Sequence, residues 1–300
     1  VIGALIILAI FGFILAKSNS NNSLSNSGKL QVTTSFYPLY YFASQIGGNK
    51  ADVRNITPPG AEPHDYEPST QDMARIENSD ILILNGGVEA WGKKIQDNLK
   101  GEKTLIVTAG QNLLTQTVTE NGSTQTDPHV WLDPVRAKAE TRVITSAFVK
   151  ADPKDEAYFQ NNEKALDSKL DTLDQKFKIG LASCTEKNII TSHAAFGYLA
   201  SRYGLTQVPI SGLSPDAEPS LEQLASISDF AKKNNVKYIF FEALVSPKLA
   251  DTIAHEVGAK TLVLDPIEGV SATDANAGKN YYTIMEQNLK NLQIALQCKS

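Results

Sequence analysis

Residues 155–181, DEAYFQNNEKALDSKLDTLDQKFKIGL, form the longest helical pattern in the chain. Apolar side chains recur in it at steps of mostly three and four residues, which places them in one stripe along a helix. They are Phe159, Leu166, Leu170, Leu173, Phe177 and Leu181. At about 1.5 Å per residue, the helix is on the order of 40 Å long, enough to lie along two domains. The pattern therefore favours a rigid helix that joins two domains over an ordinary surface helix.

Strand-like runs alternate with helical runs on both sides of this helix. The predicted strands before it are 30–36, 52–57, 81–84 and 104–107, and those after it are 188–191, 208–211, 236–241 and 261–264. This alternation is typical of a parallel sheet covered by helices. The sequence therefore predicts an α/β protein of two domains, each a four-stranded parallel sheet flanked by helices, joined by the long linker helix.

The domain boundaries follow from the same pattern. We expect an N-terminal domain, an interdomain helix and a C-terminal domain over residues 29–153, 154–183 and 184–300. Within the first domain, Asn112–Thr126 (NLLTQTVTENGSTQT) is mostly polar and rich in turn-forming residues, which predicts a surface loop.

The N-terminal segment differs from the rest of the chain. Val1–Ala16 (VIGALIILAIFGFILA) is almost wholly apolar and is followed by Lys17 and a Ser/Asn-rich run, Ser18–Ser27. Sixteen apolar residues are short for a membrane span, which takes about 20, and suit the core of a signal peptide. A signal peptide cleaved after Ala16 and an uncleaved membrane anchor both fit residues 1–28, whereas a buried core helix beside so polar a linker does not. We therefore expect the protein to act outside the cytoplasm, in the periplasm or at the outer face of the cytoplasmic membrane.

Composition narrows the class of protein. The chain has 300 residues, of which 42% are hydrophobic and 20% are charged, as in an ordinary globular protein. Its formal net charge of −5 offers no basic cluster for nucleic acid, so we expect no nucleic-acid partner. No feature of the sequence indicates an oligomer, so we expect a monomer.

The two cysteines both lie in the second half. Cys184 and Cys298 are an even pair, and an oxidising compartment permits a disulfide between them. A disulfide that ties the end of the chain to its domain is the expectation, with two free buried thiols as the alternative.

Three of the four histidines fall where an α/β sheet binds ligands. In such sheets, ligands bind outside the carboxyl ends of the strands. His64 follows the strand 52–57, His129 follows 104–107 within Asp127–Pro134 (DPHVWLDP), and His193 follows 188–191. His255, by contrast, falls inside a predicted helix, which indicates a structural or surface position.

A carboxylate at the same edge completes a candidate metal site. Asp265 follows the strand 261–264 directly and is held by Pro266. If the two binding edges face one another, His64 and His129 of the first domain meet His193 and Asp265 of the second. Three nitrogens and one carboxylate suit zinc, whereas manganese takes more oxygen ligands. Copper and nickel accept the same ligand types and stay open as alternatives.

Three other carboxylates are candidates for a supporting role. Glu62 and Asp65 flank His64, and either can orient its imidazole, while Glu62 can also reach the ion. Glu242 follows the strand 236–241 directly and so also lies at the binding edge, facing the cleft between the two domains. Solvated loop carboxylates and an ordinary ion pair are the alternatives for these residues.

Several motifs, in order, resemble one protein family. They are GAEPHDYEPS (Gly60–Ser69), DPHVWLDP, TSHAAFGYLASRYGL (Thr191–Leu205) and the segment FFE…SP…EVGAK…LDPIEG (Phe240–Gly269). Together they resemble the zinc- and manganese-binding solute-binding proteins of ABC transporters, which have a rigid interdomain helix. The likeness covers essentially residues 30–298.

The resemblance implies both a ligand set and a metal. His64, His129, His193 and Asp265 occupy the metal-ligand positions of the family, and a histidine at position 193 favours zinc, because the manganese members look to carry a carboxylate there. Two features depart from the pattern. Asn112–Thr126 has no histidine, where many zinc members have a His-rich loop, and no lipid-attachment cysteine follows Ala16.

The function implied is capture of a divalent metal, most likely zinc, and its delivery to an ABC transporter permease in the membrane, without enzymatic activity. A manganese-binding protein of the same kind is one alternative. A zinc-dependent hydrolase with Glu62 as general base is another, although the sequence has no His-Glu-x-x-His motif. A surface adhesin in which the metal is structural is the third.

Overall fold

The computed structural model describes residues 28–120 and 122–299. The predicted signal peptide or membrane anchor, Val1–Ala16, lies outside these residues. Within them, no helix combines the length and the apolar character that crossing a membrane requires.

The first half of the chain forms a parallel sheet and its covering helices. In chain order the elements are β1 (Leu30–Thr34), α1 (Tyr37–Gly47), β2 (Ala51–Asn55), α2 (Thr70–Glu77), β3 (Ile81–Leu84), α3 (Gly92–Asn98), β4 (Leu105–Thr108), β5 (Thr117–Glu120), β6 (Ser123–Thr126) and α4 (Pro134–Ala151). The sheet has the strand order β2-β1-β3-β4, and every pair is parallel.

The second half repeats this plan after the long helix α5 (Glu156–Ala182). Its elements are β7 (Asn188–Thr191), α6 (Gly197–Tyr203), β8 (Thr206–Pro209), α7 (Leu221–Lys233), β9 (Tyr238–Phe241), α8 (Lys248–Val257), β10 (Lys260–Val263), α9 (Ala272–Asn276) and α10 (Tyr281–Ala295). The strand order is β10-β9-β7-β8, again with parallel pairs only. These two sheets and the helix between them confirm the predicted fold class.

Helix α5 packs against both halves of the molecule. It has 27 residues and contacts α1 and α4 in the first half of the molecule, and α6 and α10 in the second half. The apolar stripe read from the sequence is buried along its whole length, from Phe159 to Leu181. One hydrophobic core therefore runs through both halves along this helix. The predicted domain boundaries stay a prediction.

The predicted loop Asn112–Thr126 contains an antiparallel hairpin, β5 paired with β6. The prediction missed it because the hairpin carries mostly polar residues and shows no apolar alternation. Its base is fixed from the second half of the chain, where the Tyr198 hydroxyl accepts hydrogen bonds from the backbone N–H groups of Thr115 and Gln116.

Two helix starts hold the loops that precede them. Ser69 and Asp72 form a capping box at the start of α2, in which each side chain accepts a hydrogen bond from the backbone of the other. Asp133 caps α4 by accepting from the N–H of Val135, with Pro134 in the first turn. These caps fix the chain just after His64 and just after His129.

A disulfide closes the second half of the chain. Cys184, just after α5, is bonded to Cys298, just after α10. The bond joins positions 114 residues apart in sequence. The last helix is thereby tied to the end of the long helix, on which it also packs.

Candidate metal centre

Three imidazoles and one carboxylate meet between the two sheets. They belong to His64, His129, His193 and Glu268, whose donor atoms all lie within 4.8 Å of one another. His129, His193 and Glu268 are buried, and the His64 side chain keeps 9% exposure. Among the described residues this is the group that offers three or more metal-ligating side chains at such distances.

The fold positions each of the four side chains at the carboxyl end of a strand. His64 lies in the loop between β2 and α2, and His129 lies between the hairpin and α4. His193 follows β7 by two residues, and Glu268 follows β10 by five. Since the two sheets present these edges to each other, each half of the molecule supplies two of the four donors.

The separations between donors match a tetrahedral ion. Glu268 Oε1 lies 3.3 Å from His64 Nε2, 3.1 Å from His129 Nε2 and 3.3 Å from His193 Nε2. The two nitrogens His129 Nε2 and His193 Nε2 are 3.3 Å apart. An ion held by four ligands at about 2.0–2.1 Å in a tetrahedron separates their donor atoms by about 3.3 Å. These four separations therefore match the spacing that zinc requires, and all four donors lie within 4.8 Å of one another.

Two of the imidazoles are oriented by carboxylates behind them. His129 Nδ1 donates to Asp127 Oδ1 at 2.8 Å, and the His129 backbone N–H donates to the same oxygen. His193 donates to Glu242 Oε1 from Nδ1 at 2.7 Å and from its backbone N–H at 3.1 Å. A carboxylate that holds the proton on Nδ1 leaves Nε2 free to bind a metal and makes it more basic.

Asp265, which the sequence analysis placed among the four ligands, does not belong to this group. Its Oδ1 accepts a hydrogen bond from the N–H of Ile267 at 2.7 Å, so its side chain shapes the turn after β10. Ile267 then has a φ of +60°, and the chain turns so that Glu268 reaches the imidazoles. In the structure, Glu268 takes the place that the sequence analysis gave to Asp265.

The other predicted carboxylates divide by position. Glu242 contacts His193 as described above, and Glu62 Oε1 accepts from the backbone N–H of His64 at 3.1 Å, which shapes the loop rather than the ring. Asp65 is exposed and lies beside Asp216 of the second half; this contact raises the pKa of Asp216.

Two functional candidates escaped the sequence analysis, Asp127 and Glu268. The signal for Asp127 was its spacing two residues before His129. No comparable signal marked Glu268, because Asp265 stands nearer to the end of the strand.

Charge is balanced within the cluster. Burial alone raises the pKa of Glu268, but the neighbouring His193 and hydrogen bonds from all three imidazoles hold it well below the usual range. Burial lowers the pKa of His193, yet Glu242 and Glu268 bring it well above the usual value. The pKa of His129 is raised in the same way by Asp127 and Glu268, against the effect of burial. The carboxylates therefore favour positive charge here, either protons or a metal ion that displaces them.

A small cavity beside the imidazoles is lined by four carboxyl groups, those of Glu62, Glu242, Asp265 and Glu268. Burial, together with the charge of Glu268, raises the pKa of Glu62 to about 8. Burial also raises the pKa of Asp265 to about 7, with Glu242 and Glu268 adding to the shift and the Ile267 N–H opposing it. Both shifts arise because ionised carboxylates are unfavourable so close together in a buried space, and a bound cation would reduce that cost.

Comparison with known proteins identifies the family. Residues 32–295 match the family model described as zinc-uptake complex component A, periplasmic (ZnuA). The chain belongs to the ZnuA family. It is 41% identical over 313 residues to the high-affinity zinc uptake system protein ZnuA of Bacillus subtilis, covering 99% of this chain and 98% of that protein.

Solved structures of other metal-binding proteins share the fold. Zinc-bound AdcA from Streptococcus pneumoniae superposes with a TM-score of 0.79 at 40% identity, over 91% of this chain but only 59% of the AdcA chain. The laminin-binding protein Lmb of Streptococcus agalactiae, described as bifunctional with adhesin and metal-transporting activity, gives a TM-score of 0.80 at 34% identity, over 89% of this chain and 99% of that one.

Proposed function

We propose that this protein captures a zinc ion outside the cytoplasm and delivers it to the permease of an ABC transporter. The observation that carries the proposal is the set of four donor atoms within 4.8 Å of one another, in which Glu268 Oε1 lies 3.1–3.3 Å from all three imidazole nitrogens and His129 Nε2 lies 3.3 Å from His193 Nε2. That spacing is what a tetrahedral zinc ion needs, at about 2.0–2.1 Å from each ligand. Membership of the ZnuA family supports the same metal.

The ligands in this proposal are His64, His129, His193 and Glu268. Three nitrogens and one oxygen suit zinc better than manganese, which takes more oxygen ligands. Four protein ligands fill the tetrahedron and leave no position for the metal-bound water of a hydrolase. We therefore infer a binding protein rather than an enzyme, with zinc as its cargo.

Location and partner follow from the family. Its description as the periplasmic component of a zinc-uptake complex supports a place outside the cytoplasm and a membrane permease as the receiver of the ion. The apolar segment Val1–Ala16 is the natural signal peptide or membrane anchor for such a protein. A monomer is sufficient, because one chain supplies all four proposed ligands.

Adhesion is a second candidate, favoured by the likeness to Lmb over 99% of that chain. Binding of the purified protein to immobilised laminin, with and without zinc, tests it. Saturable binding supports an adhesin role beside metal capture, and binding no stronger than to immobilised albumin rules it out.

Metal analysis and zinc competition against a chelator test the capture function, with residues 28–300. We expect one zinc per chain. Glu268→Gln and Asp265→Asn form a matched pair. Changing a residue that only supports a metal ligand weakens metal binding by about 10–100-fold. Glu268→Gln should weaken zinc binding by more than this, because it changes a ligand, and Asp265→Asn should weaken it by less. The larger loss in Asp265→Asn would instead make Asp265 the ligand.

A second matched pair tests the histidines. His193→Ala removes a proposed ligand, while His255→Ala alters an exposed histidine on α8. Zinc affinity should collapse in the first variant and stay unchanged in the second. Equal affinities in the two variants would refute the site.

A further inference from the structure

The turn Asp265–Ile267 aims Glu268 at the three imidazoles. Ile267 has a φ of +60°, in the left-handed region that β-branched residues rarely adopt because of crowding around Cβ. Its side chain is also fully buried. Backbone of this kind persists only where surrounding contacts hold it in place.

Four hydrogen bonds hold this turn. Asn288 on α10 makes two of them: its Oδ1 accepts from Asp265 N at 2.9 Å, and its Nδ2 donates to Asp265 O at 2.7 Å. Asp265 Oδ1 accepts from Ile267 N at 2.7 Å, and Trp131 Nε1 donates to Pro266 O at 2.8 Å. Three consecutive residues are therefore fixed by the last helix, by their own side chain and by the opposite half of the molecule.

We propose that Asn288 is a positioning residue of the metal centre, which holds the strained turn and through it the Glu268 carboxylate. The proposal rests on the proposed function, because it takes Glu268 as a zinc ligand. Asn288 is 1% exposed, and its side-chain hydrogen bonds go to the backbone of Asp265 rather than to any of the four donors, so its effect on the metal passes through the backbone. Without its two hydrogen bonds, Ile267 relaxes to negative φ and the carboxylate turns away from the imidazoles.

Asn291 supplies a matched control. It lies one helical turn further along α10, is also buried, and its Nδ2 donates to the backbone of β10 at Val263 O with a 2.7 Å bond. It therefore holds the strand but not the turn. Asn288→Leu should weaken zinc binding by about 10–100-fold, as loss of an outer-shell partner does, and Asn291→Leu by less than about threefold.

Relieving the strain at Ile267 distinguishes a positioning role of Asn288 from a merely structural one, with zinc affinity as the measured quantity. Glycine adopts positive φ without penalty, whereas alanine does not. In the Asn288→Leu background, Ile267→Gly should therefore recover part of the lost zinc affinity. Ile267→Ala removes nearly the same buried side chain but should recover none. Equal affinities for the two double variants would overturn the role given to the strain.

The coupling between Asn288 and Glu268 completes the test. If Asn288 acts through Glu268, then Asn288→Leu should change zinc affinity little once Glu268→Ala is present. Should Asn288→Leu fail to fold, Trp131→Phe removes the bond to Pro266 O while keeping an aromatic ring beside His129, and should weaken zinc binding in the same direction. Zinc binding by the wild type, combined with fully additive losses, would overturn the positioning role and leave zinc capture standing. A wild type that binds no zinc would overturn the capture function itself, and this proposal with it.

Discussion

Glu140 is a buried carboxyl group outside the metal centre. It lies on α4 with no exposure, and neither of its carboxylate oxygens has a hydrogen-bond partner within the described part of the chain. Burial, and then the charge of Glu89, raise its pKa well above the usual value. Glu89 itself accepts hydrogen bonds from Ser35, Asn85 and Gly86. We therefore expect Glu140 to stay protonated in the folded protein at neutral pH.

This protonation links stability to pH. In the unfolded chain, Glu140 loses its proton near its ordinary pKa of about 4.3, whereas the folded chain keeps it. As pH rises between the unfolded and the folded pKa, unfolding releases one proton and becomes easier. The contribution of Glu140 to the free energy of unfolding is therefore complete at low pH. It falls by about 1.4 kcal/mol per pH unit until the folded pKa is reached.

Glu140→Gln removes the titrating group and so removes this slope. The buried amide can cost about 1–3 kcal/mol of its own, but that cost does not change with pH. Urea unfolding of the metal-free protein from pH 5 to 8 measures the effect. The stability of Glu140→Gln relative to wild type should rise with pH, by about 1.4 kcal/mol per pH unit wherever the unfolded chain has lost the Glu140 proton and the folded chain keeps it. The exposed Glu222→Gln, on α7, is the control and should run parallel to the wild type. Parallel curves for Glu140→Gln would refute a protonated Glu140.

Three further predictions concern the metal centre and the disulfide. Zinc affinity should fall by at least about tenfold between pH 7.5 and 5.5, because protons compete for imidazoles whose pKa values are raised, as at His129 and His193; equal chelator-competition constants at the two pH values would contradict this. Glu242→Gln leaves the Nδ1 proton of His193 with a neutral acceptor and should weaken zinc binding by about 10–100-fold, with a thermal midpoint that shifts little. Cys184→Ser with Cys298→Ser opens a loop of 114 residues and should lower the free energy of unfolding by about 2–5 kcal/mol with zinc affinity unchanged; a loss of affinity instead would mean that the bond also shapes the site.

The fold was predictable because its signals are periodic. Strands β3 and β7 lie where the apolar runs 81–84 and 188–191 placed them, and α5 buries the stripe that its sequence displays. The hairpin β5–β6 lacked any such signal. Its second strand, Ser123–Thr126, is polar and exposed on both faces, so no hydrophobic pattern separates it from a loop.

The positions of the three histidines in the candidate site could be predicted from the ends of the predicted strands, but the fourth donor could not. Each of the three histidines follows a strand within its own loop, so the sheet plan alone brings them to one edge. The fourth donor depends on a backbone conformation that the sequence does not display. Because Ile267 has a positive φ, the loop directs Glu268 rather than Asp265 toward the imidazoles. The hydrogen bonds that stabilise this turn come from Asn288 and Trp131, which are distant from it in the sequence.

Helix α5 also limits the size of what the cleft can admit. A connection made of flexible strands lets two lobes swing apart around a bulky solute, but here the connector is one continuous helix, packed along its length on both halves. A helix bends gently unless proline or a similar break interrupts it, and residues 156–182 contain no proline. The lobes are therefore restricted to small displacements. Small displacements suit a single ion, because metal–ligand bonds of only about 2 Å are lost when the donor atoms move apart by an ångström or two. A rigid helical connector therefore favours a small ligand over a large one, independently of the chemistry of the metal ligands.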